Sequence, residues 1–228
     1  MENMKRFAIY YAPRPGAFAE AAAAWLGFDL QTGQARVHPP VDLPRPLAEI
    51  TAEPRKYGFH GTIKPPFRLA QGVDFQTLAT ATAALAASLR QVTLPALELV
   101  NLEGFLALIP SGDCTKLQDL ASDVVQVLDP FRAALTEAEV ARRRPEILTP
   151  RQRALLDIYG YPYVMEEFRF HLTLSGPLSG VEQQGVAAAA AAHFGTDIPQ
   201  PFHVDDLCLC GEDALGRFHL LHRYALTA

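Results

Sequence analysis

The 228-residue sequence predicts an α+β fold built as two similar lobes, and three observations carry that reading. The stretches "YGFHGTIKPPF" at 57–67 and "EFRFHLTLSGP" at 167–177 share the core Phe-His-x-Thr, followed by Ile or Leu. Each stretch is followed by a helix-forming segment and then by two strand-like runs, so one order of elements occurs twice. Within the second stretch the residues segregate. Phe168, Phe170, Leu172 and Leu174 fall on one face of a strand, and Arg169, His171, Thr173 and Ser175 on the other.

Along the chain, "RFAIYYA" at 6–12 is rich in β-favouring residues and stops at Pro13, as a first strand would. "GAFAEAAAAWLGF" follows as a short Ala-rich helix. Residues 36–54 carry many prolines and form a long connection into the first histidine stretch. Residues 73–90 read as a second helix with Asp74 near its start. Residues 94–110 read as two strands joined around Glu103-Gly104. After Asp113, Leu117, Leu120, Ala121, Val124 and Leu128 recur at helical spacing and predict an amphipathic helix. Residues 136–163 break the pattern with charged, helix-like sequence; they are read as a helical insertion and a candidate lid. "GVEQQGVAAAAAAHF" after the second histidine stretch is a helix by its Ala content. "FHVDDLCLC" and "RFHLLHRYAL" close the chain as strands.

Composition narrows the classes of function. With 49% hydrophobic and 20% charged residues the chain is globular rather than disordered. A net charge of -5 gives no general attraction to nucleic acid or to a membrane, so an anionic ligand needs a local basic site. No apolar run reaches the length of a membrane span, and the amino-terminal segment lacks the apolar core of a secretory signal. Cys114, Cys208 and Cys210 are too few for a disulfide framework, which favours a reducing compartment, with the cytoplasm as default. Cys208 and Cys210 alternate as small residues on one strand face, and no metal or other cofactor is expected. No sequence feature sets an oligomeric state.

The histidine echo points to chemistry. Random placement of seven histidines among the phenylalanines and threonines of this chain predicts roughly 0.02 Phe-His-x-Thr matches, against two observed. In the first stretch His60, Thr62 and Lys64 share a strand face, with Phe59 and Ile63 opposite; Pro65 and Pro66 are placed to turn Lys64 off that face. Two imidazoles facing one ligand supply a base and an acid together, because imidazole titrates near neutrality. Threonine hydroxyls beside them suit the non-bridging oxygens of a phosphodiester. Between Pro54 and Val73 the chain carries Arg55, Lys56, Lys64 and Arg68 with no acidic residue, a favourable setting for phosphate. Tyr57, and Tyr10 or Tyr11, can stack on a base or sugar, although strand tyrosines more commonly pack the core. Arg142 to Arg144 are either a clamp for a second phosphate or a solvated charged run. His38, His193, His203, His219 and His222 lack the motif.

The paired His-x-Thr motifs resemble those of the two-histidine (2H) phosphoesterase superfamily. More narrowly, "YGFHGTIKPPFRL" and "LTPRQRALLDIYGYPYVMEEFRFHLTLSGPL" are similar to a bacterial branch associated with phosphonate-metabolism genes. The resemblance implies one bilobal domain over residues 1–228, with two mainly antiparallel sheets and outer helices around a central cleft, one motif per lobe. It implies His60 and His171 as catalytic residues and Thr62 and Thr173 as phosphate-binding partners; Lys64 and Arg169, by their strand faces, and Tyr57, by its ring, are further candidate substrate contacts outside the resemblance. The implied activity is metal-independent hydrolysis of a small phosphorylated substrate, such as a cyclic ribose phosphate. A 2',3'-cyclic nucleotide or RNA end is the alternative substrate; a non-catalytic nucleotide- or phosphate-binding module is the alternative class. No membrane partner is implied.

Overall fold

The first strand is apolar on both faces, and a strand with that pattern belongs inside a sheet covered on both sides. The computed structural model describes residues 4–228 and places β1, Phe7–Tyr11, between two neighbours. The first three residues of the segment read for a secretory signal lie outside the described ones. Phe7, Ile9 and Tyr11 enter the main core, while Ala8 and Tyr10 enter a smaller cluster with Cys208, Cys210 and Phe218.

The remaining elements follow in chain order. Helix α1, Ala17–Leu26, leads to the small hairpin β2, Phe28–Asp29, and β3, Gln34–Ala35. The proline-rich connection contains one short helix, α2, Leu47–Ile50. Next come β4, Gly61–Phe67, and α3, Phe75–Ser88, whose N-cap Asp74 accepts from the Thr77 backbone N–H at 2.8 Å. Strand β5, Val92–Leu94, precedes the hairpin β6, Leu97–Leu102, and β7, Phe105–Pro110. That hairpin turns through Glu103 and Gly104, both at positive φ, as a tight two-residue turn requires. Helix α4, Thr115–Val127, buries Leu117, Leu120, Ala121 and Val124, the positions its spacing predicts.

Residues 136–163 fold as α5, Glu137–Arg142, and α6, Pro150–Tyr159, each started by a capping box, at Thr136/Glu139 and at Thr149/Gln152. Strand β8, Leu172–Thr173, helix α7, Gly180–Phe194, and strands β9, Phe202–Val204, β10, Asp206–Glu212, and β11, Phe218–Ala225, complete the chain.

The result is α+β with antiparallel pairing. Seven strands run in the order β11-β10-β1-β4-β8-β7-β6, and β5 pairs with β9 separately. The long sheet has two parts, four strands from β11 to β4 and three from β8 to β6, which meet at a single pair, Gly61 with Leu172. Helix α3 contacts β10 and β11, whereas α7 contacts β6 and β7, so each part has its own helix beneath it. Trp25 ties α1 to the junction by donating its indole N–H to the Leu174 carbonyl at 2.9 Å. No described helix is long and apolar enough to cross a membrane.

Candidate active site

Both histidines sit one residue before the strands that meet at the junction: His60 precedes β4 and His171 precedes β8. Their rings are held in the same way. His60 Nδ1 lies 2.9 Å from the Gly58 carbonyl, and His171 Nδ1 lies 2.8 Å from the Arg169 carbonyl, in each case two residues back. A carbonyl only accepts, so each neutral ring carries its proton on Nδ1 and keeps the Nε2 lone pair free for other work. For His60 that lone pair receives the Thr62 hydroxyl at 3.2 Å. Gly58 makes the first of these bonds possible, since it adopts φ of 68° and a Cβ there would stand 2.7 Å from Leu30 Cβ.

The two histidines open onto one cavity of about 390 Å³, which Thr62, Thr173 and Tyr57 also line. Four of its walls are aromatic. Tyr10 packs its ring 3.9 Å from that of His60, Tyr57 stands 5.9 Å from the same ring, and Phe105 lies 5.9 Å from the His171 ring. The fourth is Tyr161, with the Arg143 guanidinium 4.7 Å over its face. Burial, with the nearby His171 adding to it, pulls the His60 pKa down to about 4 against the support of the Gly58 carbonyl. At neutral pH the His60 imidazole is therefore uncharged.

Two expected contacts fall elsewhere. Lys64 does not share the face of His60 and Thr62. The register between β1 and β4 shifts, so that Tyr10 pairs with Thr62 but Ile9 pairs with Lys64. That bulge puts Lys64 on the core side, where its ammonium donates to the Val125 carbonyl at 3.0 Å and stands 3.4 Å from Asp129. Arg169 is exposed and folds onto its own backbone, donating to the carbonyls of Phe168 and Glu166. The short 3-10 turn at Met165–Glu167 ends just before it, so strand alternation does not extend back to Arg169. Ser175 is buried and accepts from the Leu106 backbone N–H at 2.8 Å, a joint between β7 and the segment after β8. Tyr11 faces the core, against Phe202 and Phe170. Of the basic residues near the first motif, Arg55 caps the Leu26 carbonyl and Lys56 pairs with Glu53.

Sequence reasoning missed Arg6, Phe105 and Tyr161 on the cavity wall. Arg6 was within reach of alternation, since it precedes Ala8 and Tyr10 on the same face of the first strand; Glu212 holds its guanidinium with bonds of 2.5 and 2.7 Å. Phe105 and Tyr161 carry no comparable signal. The insertion contributes both Arg143 and Tyr161, and it is fastened to the body through Arg68 with Glu139 and through Arg132 with the Ile158 carbonyl. Among the described residues no group of three or more His, Cys, Asp or Glu side chains is gathered as metal ligands.

Residues 62–219, more than two thirds of the chain, match the family described as protein of unknown function DUF1045. The chain is a DUF1045 protein. Two curated relatives, both named ribose 1,5-bisphosphate phosphokinase PhnN, share the resemblance. The one from Janthinobacterium sp. (strain Marseille) is 35% identical over 223 residues, covering 94% of this chain and 49% of the relative. The one from Laribacter hongkongensis (strain HLHK9) is 34% identical over 231 residues, covering 92% and 49%. This DUF1045 chain thus spans about half the length of the curated relatives it matches. Among solved structures, E. coli LigT complexed with 3'-AMP aligns over 100% of both chains at 17% identity and a TM-score of 0.46. A structure described as a phosphoesterase aligns over 99% of both at 17% identity and a TM-score of 0.44.

Proposed function

We propose that this DUF1045 protein is a phosphoesterase that hydrolyses a small cyclic phosphate ester without a metal ion. The observation that carries the reading is the pair of imidazoles on one cavity, each with Nδ1 fixed by a carbonyl so that Nε2 is the nitrogen left for acid–base work, at His60 once the Thr62 hydroxyl turns from the ring to the ligand. His60, uncharged at neutral pH, takes a proton from the attacking water through Nε2. The water oxygen bonds to phosphorus, the ring P–O bond breaks, and His171, which enters this step as the imidazolium with a second proton on Nε2, gives that proton to the departing oxygen. Thr62 and Thr173 donate to the non-bridging oxygens, where charge builds up in the transition state. The product is an open phosphate monoester.

A ribose ester linked to phosphonate metabolism is the favoured substrate, since the curated relatives carry a name that concerns ribose 1,5-bisphosphate. A second reading, a 2',3'-cyclic nucleotide or RNA end, draws support from the aromatic walls Tyr57, Phe105 and Tyr161, which suit a stacked base. The free thiols of Cys208 and Cys210, both buried, suit a reducing cytoplasm.

The test is hydrolysis of cyclic ribose phosphates and 2',3'-cyclic nucleotides with chelator present, by wild type, His60→Ala and His171→Ala. Chelator-resistant turnover, lost in both variants, is the expected result. Binding without turnover of any ester by folded wild type would replace the enzyme with a binding module.

A further inference from the structure

Beside the histidine cavity lies a smaller chamber of about 120 Å³, and the two share Arg6, Pro65, Pro66 and Arg143 as a common wall. Its lining is cationic: Arg6, Lys64, Arg68, Arg132, Arg142 and Arg143 all reach it. Three carboxylates answer them. Glu212 holds Arg6, Glu139 holds Arg68, and Asp129 lies between Lys64 and Arg132. Among the described residues Arg142 and Arg143 have no carboxylate partner. Arg142 donates to the Ala138 carbonyl, and Arg143 lies over Tyr161.

A chamber with this excess of positive charge, partly withdrawn from water, is matched by a compact anion. A sugar hydroxyl or a base placed there would displace water from the cations without neutralising them. Size points the same way, because the chamber is under a third of the histidine cavity and suits a tetrahedral group rather than a ring. Lys64 is consistent with this. Burial pulls its pKa down to about 8 despite Asp129, with Arg132 adding to the effect, so an arriving anion would be stabilised by restoring its full charge.

We infer that the chamber binds a second phosphate group of the same substrate, so that the ester cleaved between the histidines also carries a phosphate monoester. The inference rests on the phosphoesterase reading for the first phosphate only; the chamber itself is defined independently. The insertion at 136–163 then acts in recognition, since it supplies Arg142 and Arg143.

Two measurements separate the inference from the reading beneath it. The first compares kcat/KM for a cyclic ribose phosphate with and without a 5-phosphate, and for 2',3'-cyclic AMP with and without a 5'-phosphate. Wild type should prefer the doubly phosphorylated member of at least one pair by roughly 100-fold, and Arg142→Ala and Arg143→Ala should each cut that ratio by roughly tenfold. Equal turnover within both pairs, or a ratio unmoved in both folded variants, overturns the inference. The second is calorimetric binding of ribose 5-phosphate. Binding that survives His60→Ala and His171→Ala but weakens roughly tenfold in Arg142→Ala supports the chamber, even if no ester is cleaved and the catalytic reading falls. Binding that is absent, or that depends on the histidines and not on the arginines, overturns the chamber even where cleavage stands.

Discussion

Gly61 and Leu172 form the one backbone pair that joins the four-stranded part of the sheet to the three-stranded part. Extending that antiparallel register by one residue each way sets His60 abreast of Thr173 and Thr62 abreast of His171. The side chains of those four residues leave the sheet on the face opposite Leu172, which is buried in the core. The two motifs thus interlock rather than merely face each other. Gly61 permits the approach, because a Cβ there would stand 2.3 Å from the Phe170 ring.

Gly61→Ala is expected to push Phe170 out of its contacts with Tyr11 and Phe202 and to part the two motifs. Overpacking of this kind costs about 1–3 kcal/mol. Urea denaturation reads the stability loss, and turnover should fall more steeply than the folded fraction does.

Replacement of either histidine by alanine should lower kcat by roughly 10²–10⁴-fold, the usual range for a positioned acid or base. Thr62→Val should act through His60 as well as on the ligand, since the Thr62 hydroxyl donates to His60 Nε2. Its signature is a shift of the acidic limb of the pH–rate profile, which a purely structural threonine would leave in place.

Stability should depend on pH through His60. Its folded pKa of about 4 lies below the ordinary 6.5. Between those values the unfolded chain holds a proton that the folded site refuses, so stability rises with pH across that window and is lost as acid is added. The contribution is at most about 3 kcal/mol and is reduced by the solvent the cavity admits. Denaturation at pH 4.5 and at pH 7 should show a smaller difference in His60→Asn than in wild type.

Lys64→Met should leave stability unchanged or raise it by about 1 kcal/mol, because a buried cation is exchanged for an apolar chain of similar length while Arg132 still answers Asp129. The same variant should bind ribose 5-phosphate more weakly. A large loss of stability would instead make Lys64 a structural residue.

What the sequence disclosed depended on how local the cause was. His60, Thr62, His171 and Thr173 were legible because each motif is short and alternates within itself. The helix over 180–194 and the turn at Glu103-Gly104 were legible for similar reasons, an Ala run and a glycine that tolerates positive φ between two apolar runs. Lys64 was placed wrongly because one extra residue in β4, seen only in its pairing with β1, reverses the alternation. Arg169 was misplaced because β8 is only two residues long, so the strand pattern was carried beyond the strand. Tyr161 and Phe105 reach the cavity through tertiary packing alone, which leaves no periodic trace.

The placement of β1 has a consequence for how the molecule is made. Phe7 pairs with Gly211 across almost the whole chain, while the hairpin β6–β7 closes within a few residues. On the ribosome the hairpin can form early, but β1 keeps an open edge until β10 emerges, and contacts so distant in sequence form slowly. Until then the nascent chain carries an apolar strand paired with β4 on one edge only, its other edge open to chaperones and to neighbouring chains. Completion of the cleft waits on β10 and β11, which are translated after both histidines and bring Glu212 to Arg6 and Phe218 to Tyr10 and Tyr57.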